Sequence, residues 1–238
     1  NIRVFSRPEK LRKWCEDEGI DFEDRKKLIT DAGQLVPGWG KDSHGVEFFV
    51  HSPFAKHAND EIVDRNEASI VMQANFNYDS RDTKLLLSAD TQHEVWADIV
   101  NITRNKKNDY RLAWDVYKLP HHCSYLSIGP DKGKDKTEPI DEVRWLHEQG
   151  QERGVLVSTS KPIPSNDDDD QPPHRQAANY YKEIASKIDG EFKVTMEHPK
   201  ESDPQPLVIT IDGNGARLKK IIISGGSIAT SRPSPRVG

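Results

Sequence analysis

The chain has 238 residues, of which 34% are hydrophobic and 31% are charged, and its formal net charge at pH 7 is −5. This length suits one large domain or two small ones, and the acidic balance argues against a general nucleic-acid coat, although a locally basic groove remains compatible with it. No apolar run approaches the length of a membrane helix, about 20 residues, so we expect no membrane partner. The two cysteines lie far apart in the sequence, which is typical of reduced thiols, and we therefore expect a cytoplasmic protein.

The first half of the chain predicts a helix followed by an antiparallel meander. The helix is expected to begin at Pro8, which suits a first helical turn, and to end at Glu18 before Gly19. A polar connector or strand follows over 20–29. Apolar and β-branched runs predict strands over 45–53, 68–76 and 84–88, with the turn residues of a hairpin between the last two. A helix is expected over 93–102.

The second half predicts alternating helices and strands. We expect a strand that ends at Pro120, then a helix over 139–149, a strand over 155–159, a helix over 174–188, a strand over 192–196 and a hairpin over 207–223. This order predicts an α/β chain, built as an α+β sandwich of sheets flanked by helices. We divide it into residues 1–30, a helix and connector, residues 31–223, the main domain, and residues 224–238, a tail.

Two neighbouring strands end in residues that suit metal chemistry. The apolar run Lys84-Leu85-Leu86-Leu87-Ser88 leads to Asp90, and the run Asp115-Val116-Tyr117-Lys118 leads through Leu119-Pro120 to His121 and His122. Asp90 has two interpretations, a carboxylate metal ligand or an N-cap of the helix that begins near His93. Adjacent histidines point in different directions, so at most one should be a direct ligand, while the other orients it or acts as a general acid. A purely structural pair is the alternative.

Three motifs carry a resemblance to a known family. They are Asn66-Glu67-Ala68-Ser69-Ile70-Val71, Leu86-Leu87-Ser88-Ala89-Asp90 and Leu119-Pro120-His121-His122-Cys123-Ser124. Together they resemble the second half of a metallo-β-lactamase-fold hydrolase, in the ComEC/Rec2-like subgroup found in DNA-uptake channel proteins. The similarity runs from about residue 32 to about residue 211, and the His-His-Cys-Ser turn is its most specific motif.

This resemblance implies a fold, a metal centre and a reaction. The chain would form the second ββα half of an αββα sandwich, with two zinc ions, or manganese as an alternative, shared with the first half. Asp90 would bridge the metals, and His122 would bind one metal, with His121 as the alternative ligand. Beside a ligand His122, His121 would be the catalytic residue that positions or protonates. His174 and Ser124 are the candidate substrate-binding residues. The implied reaction is hydrolysis of a phosphodiester, in a nucleic acid or a small nucleotide, by a metal-bound hydroxide.

The sequence departs from the family pattern in three places. Ala89 and Cys123 stand where the subgroup has glycine, and the His-x-His-x-Asp-His cluster of the first half does not occur. We therefore expect the partner to be an N-terminal half of the same fold, in a separate chain or an upstream segment, within an oligomer or complex. The alternative is a degenerate, non-catalytic subunit that acts in protein assembly, for example in bacterial defence or DNA uptake.

Other candidates have plainer interpretations. His51 ends a strand, where capping competes with metal binding. A packed thiol is the main interpretation of Cys123, against a thiolate near the metal. The aspartates of 167–170 fit a solvated acidic loop, and Lys132, Lys134 and Lys136 fit either a solvated loop or a surface that steers phosphate-bearing substrates.

Overall fold

The structure is a computed structural model that describes residue 5, residues 8–53 and residues 69–219. Three predictions therefore lie wholly or partly outside the described residues: the Asn66-Glu67-Ala68 part of the strand-start motif, the end of the terminal hairpin, and the tail over 224–238.

The described residues contain six α-helices and eight strands. The helices are α1 (Pro8–Asp17), α2 (Phe22–Lys26), α3 (Lys41–His44), α4 (His93–Asn105), α5 (Asp141–His147) and α6 (Arg175–Lys187). The strands are β1 (Val46–Ser52), β2 (Val71–Tyr78), β3 (Arg81–Ser88), β4 (Trp114–Lys118), β5 (Gly150–Ser158), β6 (Glu191–Val194), β7 (Ile209–Asp212) and β8 (Gly215–Leu218).

The first six strands form one mixed sheet in sequence order, and β7 and β8 form a separate hairpin. The pairs β1–β2 and β2–β3 are antiparallel, whereas β3–β4, β4–β5 and β5–β6 are parallel. As a result β1, β3, β4, β5 and β6 all run in the same direction, and their carboxyl ends meet at one edge of the sheet. Polar side chains that follow these strands are thereby brought together.

The two faces of the sheet are covered differently. On one face Leu86, Tyr117 and Leu156 lie side by side on β3, β4 and β5, and they belong to the large buried core that contains residues of α4, α5 and α6. On the opposite face Val116 and Val155 form a small cluster with Val157, against which Ile209 and Ala216 of the β7–β8 hairpin pack. The chain thus has helices on one side of its sheet and a hairpin on the other.

The mixed α/β class is confirmed, since helices pack on one face of a six-stranded mixed sheet. The predicted meander is also confirmed, as the antiparallel strands β1, β2 and β3. The connector or strand predicted over 20–29 is wrong, because residues Phe22–Lys26 form α2, where Asp21 caps the helix by accepting a hydrogen bond from the N–H of Glu23 at 2.9 Å. Strand β5 begins at Gly150, five residues before the predicted start. None of the helices that the structure describes has both the length and the apolar character of a membrane-crossing segment.

Candidate metal centre

The ends of β3 and β4 are fastened to each other just before the residues of interest. The Ser88 hydroxyl donates to the carbonyl oxygen of Lys118 at 2.6 Å, and the Lys118 ammonium donates to the carbonyl oxygen of Ser88 at 2.7 Å. One step further, the backbone N–H of His121 donates to the carbonyl oxygen of Ala89 at 3.0 Å. These bonds hold the chain before Asp90 beside the chain before His122.

The two histidines lie in a left-handed turn beyond the end of β4. Three consecutive residues have positive φ angles, 44° for His121, 51° for His122 and 68° for Cys123. Residues with a side chain rarely adopt this region, and each costs roughly 1–2 kcal/mol relative to a right-handed conformation. The turn is closed by hydrogen bonds from the N–H groups of Cys123 and Ser124 to the carbonyl oxygens of Pro120 and His121. Such strain is found preferentially at functional sites.

His122 has the orientation of a metal ligand. Its Nδ1 lies 2.8 Å from the carbonyl oxygen of Thr159, which follows β5. A carbonyl oxygen only accepts, so Nδ1 carries a proton, and in the neutral form of the ring Nε2 presents its lone pair. Metal-binding histidines commonly use the second nitrogen in this way. The side chain is 52% exposed, so Nε2 is accessible.

The Nε2 atom of His122 lies 3.8 Å from Oδ1 of Asp90, whose side chain is 47% exposed. Zinc binds histidine nitrogen at about 2.0–2.1 Å and carboxylate oxygen at about 2.0–2.2 Å, so one ion can contact two atoms at this separation. The donor pair therefore fits zinc, and the N-cap interpretation of Asp90 is not what the structure shows, because the N-cap residue of α4 is Gln92.

Two side chains do not make a complete site. Zinc in proteins takes four ligands, of which a catalytic centre draws at least three from the protein. Within residues 8–53 and 69–219, no group of three or more His, Cys, Asp or Glu side chains is arranged to hold a metal ion. Further ligands would have to come from outside this part of the chain.

The other predicted site residues lie beneath the turn. His174 is 3% exposed, accepts from the N–H of Tyr125 through Nδ1 at 3.4 Å, and donates from Nε2 to the carbonyl oxygen of Asp170 at 3.2 Å. Burial lowers the pKa of His174, and the nearby positive charges of Lys132 and His121 act in the same direction. Ser124 is 1% exposed, and its hydroxyl accepts from the N–H of Leu126 at 3.3 Å. These contacts do not support the substrate-binding roles predicted for His174 and Ser124.

His51 and Cys123 take the plainer of their two interpretations. His51 is buried and donates from Nε2 to the carbonyl oxygen of Arg111 at 2.9 Å, and burial lowers its pKa from 6.5 to about 4. Burial also raises the pKa of the Cys123 thiol, which keeps it protonated. A neutral, hydrogen-bonded histidine and a protonated thiol are packing residues.

The charged loops are mostly engaged in pairs. Asp167 accepts from Arg175 and Gln176, both at 2.9 Å, and these bonds tie the acidic loop to the start of α6. Lys136 pairs with Glu183 at 2.7 Å. Neither contact points to a cation site or to a surface that steers substrate.

Sequence reasoning missed Lys118, whose ammonium group lies at the same strand ends. The sequence signal that could have indicated it is its position one residue before Leu119-Pro120.

Comparisons with family models, with curated proteins and with solved structures find no match for this chain.

Proposed function

We propose that the chain is part of a metal-dependent hydrolase of the metallo-β-lactamase fold, which hydrolyses phosphodiesters in nucleic acids or small nucleotides. One observation carries the proposal. His122 donates its Nδ1 proton to Thr159 and presents Nε2 at 3.8 Å from the Asp90 carboxylate, across the ends of adjacent parallel strands.

Asp90 and His122 would hold zinc, with manganese as the alternative. Bound metal would supply the nucleophile, because coordination makes a water molecule acidic enough to lose a proton near neutral pH. Asp90 would bridge two metal ions, and His122, whose ring is oriented by its bond to Thr159, would bind one of them. His121, at the start of the same turn, would position the substrate or protonate the leaving group.

The sheet supports the idea of a second ββα half. Helices cover one face, as the outer layer of an αββα sandwich would, and the Asp90–His122 pair is half exposed at the carboxyl edge. A first half that carries His-x-His-x-Asp-His would pack beside the β7–β8 hairpin, on the face opposite to the helices, and complete the ligand set. The complex would then have its site between the two halves, and we expect it in the cytoplasm.

A second candidate function follows from the ligand count. Since the described residues contain no metal-binding group of three, the chain fits equally a non-catalytic subunit that keeps the fold for protein assembly. Zinc binding and hydrolysis separate these two functions.

The test measures zinc content and hydrolysis of bis(p-nitrophenyl) phosphate by the full chain, alone and with the polypeptide that carries the first half. We expect two zinc ions and activity in the assembled unit. Removing a residue that only hydrogen-bonds to a metal ligand lowers metal affinity about 10–100-fold. Asp90→Asn and His122→Gln remove direct ligands, so each should lower metal affinity by more than this.

His44→Gln is the matched control, since His44 is an exposed histidine on α3. It should leave metal content and activity unchanged. An assembled unit with no bound metal would reject the hydrolase and support the assembly subunit.

A further inference from the structure

Lys118 brings a positive charge to the candidate metal centre. It is the last residue of β4, between Leu87 of β3 and Val157 of β5. Its side chain projects from the face opposite to the helices, because Tyr117, its neighbour along the strand, lies in the helix-covered core. Along the chain Asp90 lies three residues beyond Leu87, His122 lies four beyond Lys118, and Thr159 lies two beyond Val157. Lys118 therefore lies directly below the centre of the site.

The ammonium group of Lys118 is fixed at the strand ends. It donates to the carbonyl oxygen of Ser88 at 2.7 Å, two residues before Asp90. Among the described residues Ser88 is its hydrogen-bond acceptor, so two of the three N–H donors remain for a ligand. The side chain is held in place before any ligand arrives, which lowers the entropy cost of binding.

Partial burial raises the free energy of the charged form of Lys118 unless an anion lies beside it. Lys118 is half-buried, and burial lowers its pKa, while the charge of Asp90 acts in the opposite direction. A metal ion held by Asp90 would weaken that favourable interaction. A phosphate oxygen would replace it and would accept the remaining N–H donors in charge-assisted hydrogen bonds.

We propose that Lys118 binds the anionic phosphate group of the substrate and thereby restricts this site to phosphate-bearing molecules. The proposal rests on the proposed function, which it deepens by naming the residue that selects the substrate class. Lys118 is a binding residue in this role, distinct from the metal ligands.

The experiment separates phosphate binding from metal binding. The full chain with Asp90→Asn lacks one metal ligand and its negative charge, so dimethyl phosphate should bind it more tightly than the unchanged chain. Binding is followed by nuclear magnetic resonance titration of the backbone amide shifts of residues 121–124. Adding Lys118→Met should lower the affinity about tenfold or more, as expected for a lost charged hydrogen bond. Neutral trimethyl phosphate should not bind.

Two variants control for structure. Lys118→Arg keeps both the charge and an N–H donor for Ser88, and it should retain phosphate binding within about threefold. Lys84→Met removes a lysine on the other face of β3, and it should have no effect. Equal phosphate affinity with and without Lys118, or no phosphate binding to Asp90→Asn, overturns the proposal. Lys118-dependent phosphate binding by a chain that takes up no zinc in any assembly would support the anion site and reject the hydrolase.

Discussion

His121 and His122 are adjacent in sequence but have different surroundings, and the hypothesis that at most one of them is a direct ligand stays a prediction. The Nε2 atom of His122 faces Asp90, whereas His121 is half-buried close enough to His174 to affect its pKa. The left-handed turn was not predictable from these residues, since histidine is enriched among residues with a positive φ but still adopts it rarely, and three such residues in a row are rarer still. A glycine at position 123, as in the resembling subgroup, would have been a signal for it.

The hydrogen-bond partners of these side chains on neighbouring strands could not be predicted from the sequence either. The Ser88 carbonyl that holds Lys118 is a backbone group of β3, and the Thr159 carbonyl that orients His122 is a backbone group just after β5. Sequence patterns placed Asp90 and the two histidines at strand ends, because strands are marked by local residue preferences. They could not supply the partners, because those depend on strand order and register.

His51 should make the stability of the chain depend on pH. Its pKa is 6.5 when unfolded and about 4 when folded, so the unfolded chain binds the proton more readily between these values. The free energy of unfolding should therefore fall by about 3 kcal/mol as the pH drops from 6.5 to 4 through this residue alone. His51→Gln keeps an N–H donor for Arg111 and should remove that part of the pH dependence.

Urea denaturation at several pH values checks this prediction, with His44→Gln as the exposed-histidine control. An unchanged slope between pH 4 and 6.5 in His51→Gln would show that the buried ring is not the titrating group.

At the scale of elements, long periodic segments were predicted well, whereas one short helix and the glycine-containing start of one strand were missed. The helix predicted over 93–102 is α4, and the strand predicted to end at Pro120 is β4. Helix α2 has five residues, too few for an apolar period to show. The start of β5 was missed because Gly150 and Gly154 resemble loop residues, yet both lie against the Trp114 ring.

Gly150→Ala tests that contact. An added Cβ would lie 2.5 Å from Cζ2 of Trp114, whose side chain is fully buried and donates to the carbonyl oxygen of Leu146 at 3.3 Å. The ring cannot move without losing its packing, so the substitution should cost about 1–3 kcal/mol. Gln151→Ala, at an exposed position of the same strand, should change stability by less than about 0.5 kcal/mol. Equal effects in chemical denaturation would mean that the ring adjusts freely.

For the whole molecule, the order of apolar segments predicted the α/β class and the meander. It did not predict which elements cover each face of the six-stranded sheet. The β7–β8 hairpin was predicted, but its packing against Val116 and Val155 arises from tertiary contacts that no local pattern records. The half-sandwich interpretation stays a prediction, and it implies that the helix-covered face supplies most of the stability.

Two neighbouring residues of β5 allow this to be measured. Leu156 faces the helices and is fully buried, while Val157 faces the other side and is 8% exposed. Leu156→Ala should cost about 2–5 kcal/mol. Val157→Ala should cost about 1–2 kcal/mol, from about 0.8 kcal/mol per buried methylene. A larger loss for Val157→Ala in denaturation experiments would show that the hairpin side is the main core.

Both cysteines, Cys15 and Cys123, are fully buried, and this has a practical consequence for spectroscopy. Thiol-reactive labels attack exposed thiolates, so a single cysteine placed on the surface would be labelled selectively without removing the native ones. Ala89→Cys puts such a label at an exposed position next to Asp90. A nitroxide there would report, through distances to a second label, how closely any partner approaches the edge of the sheet.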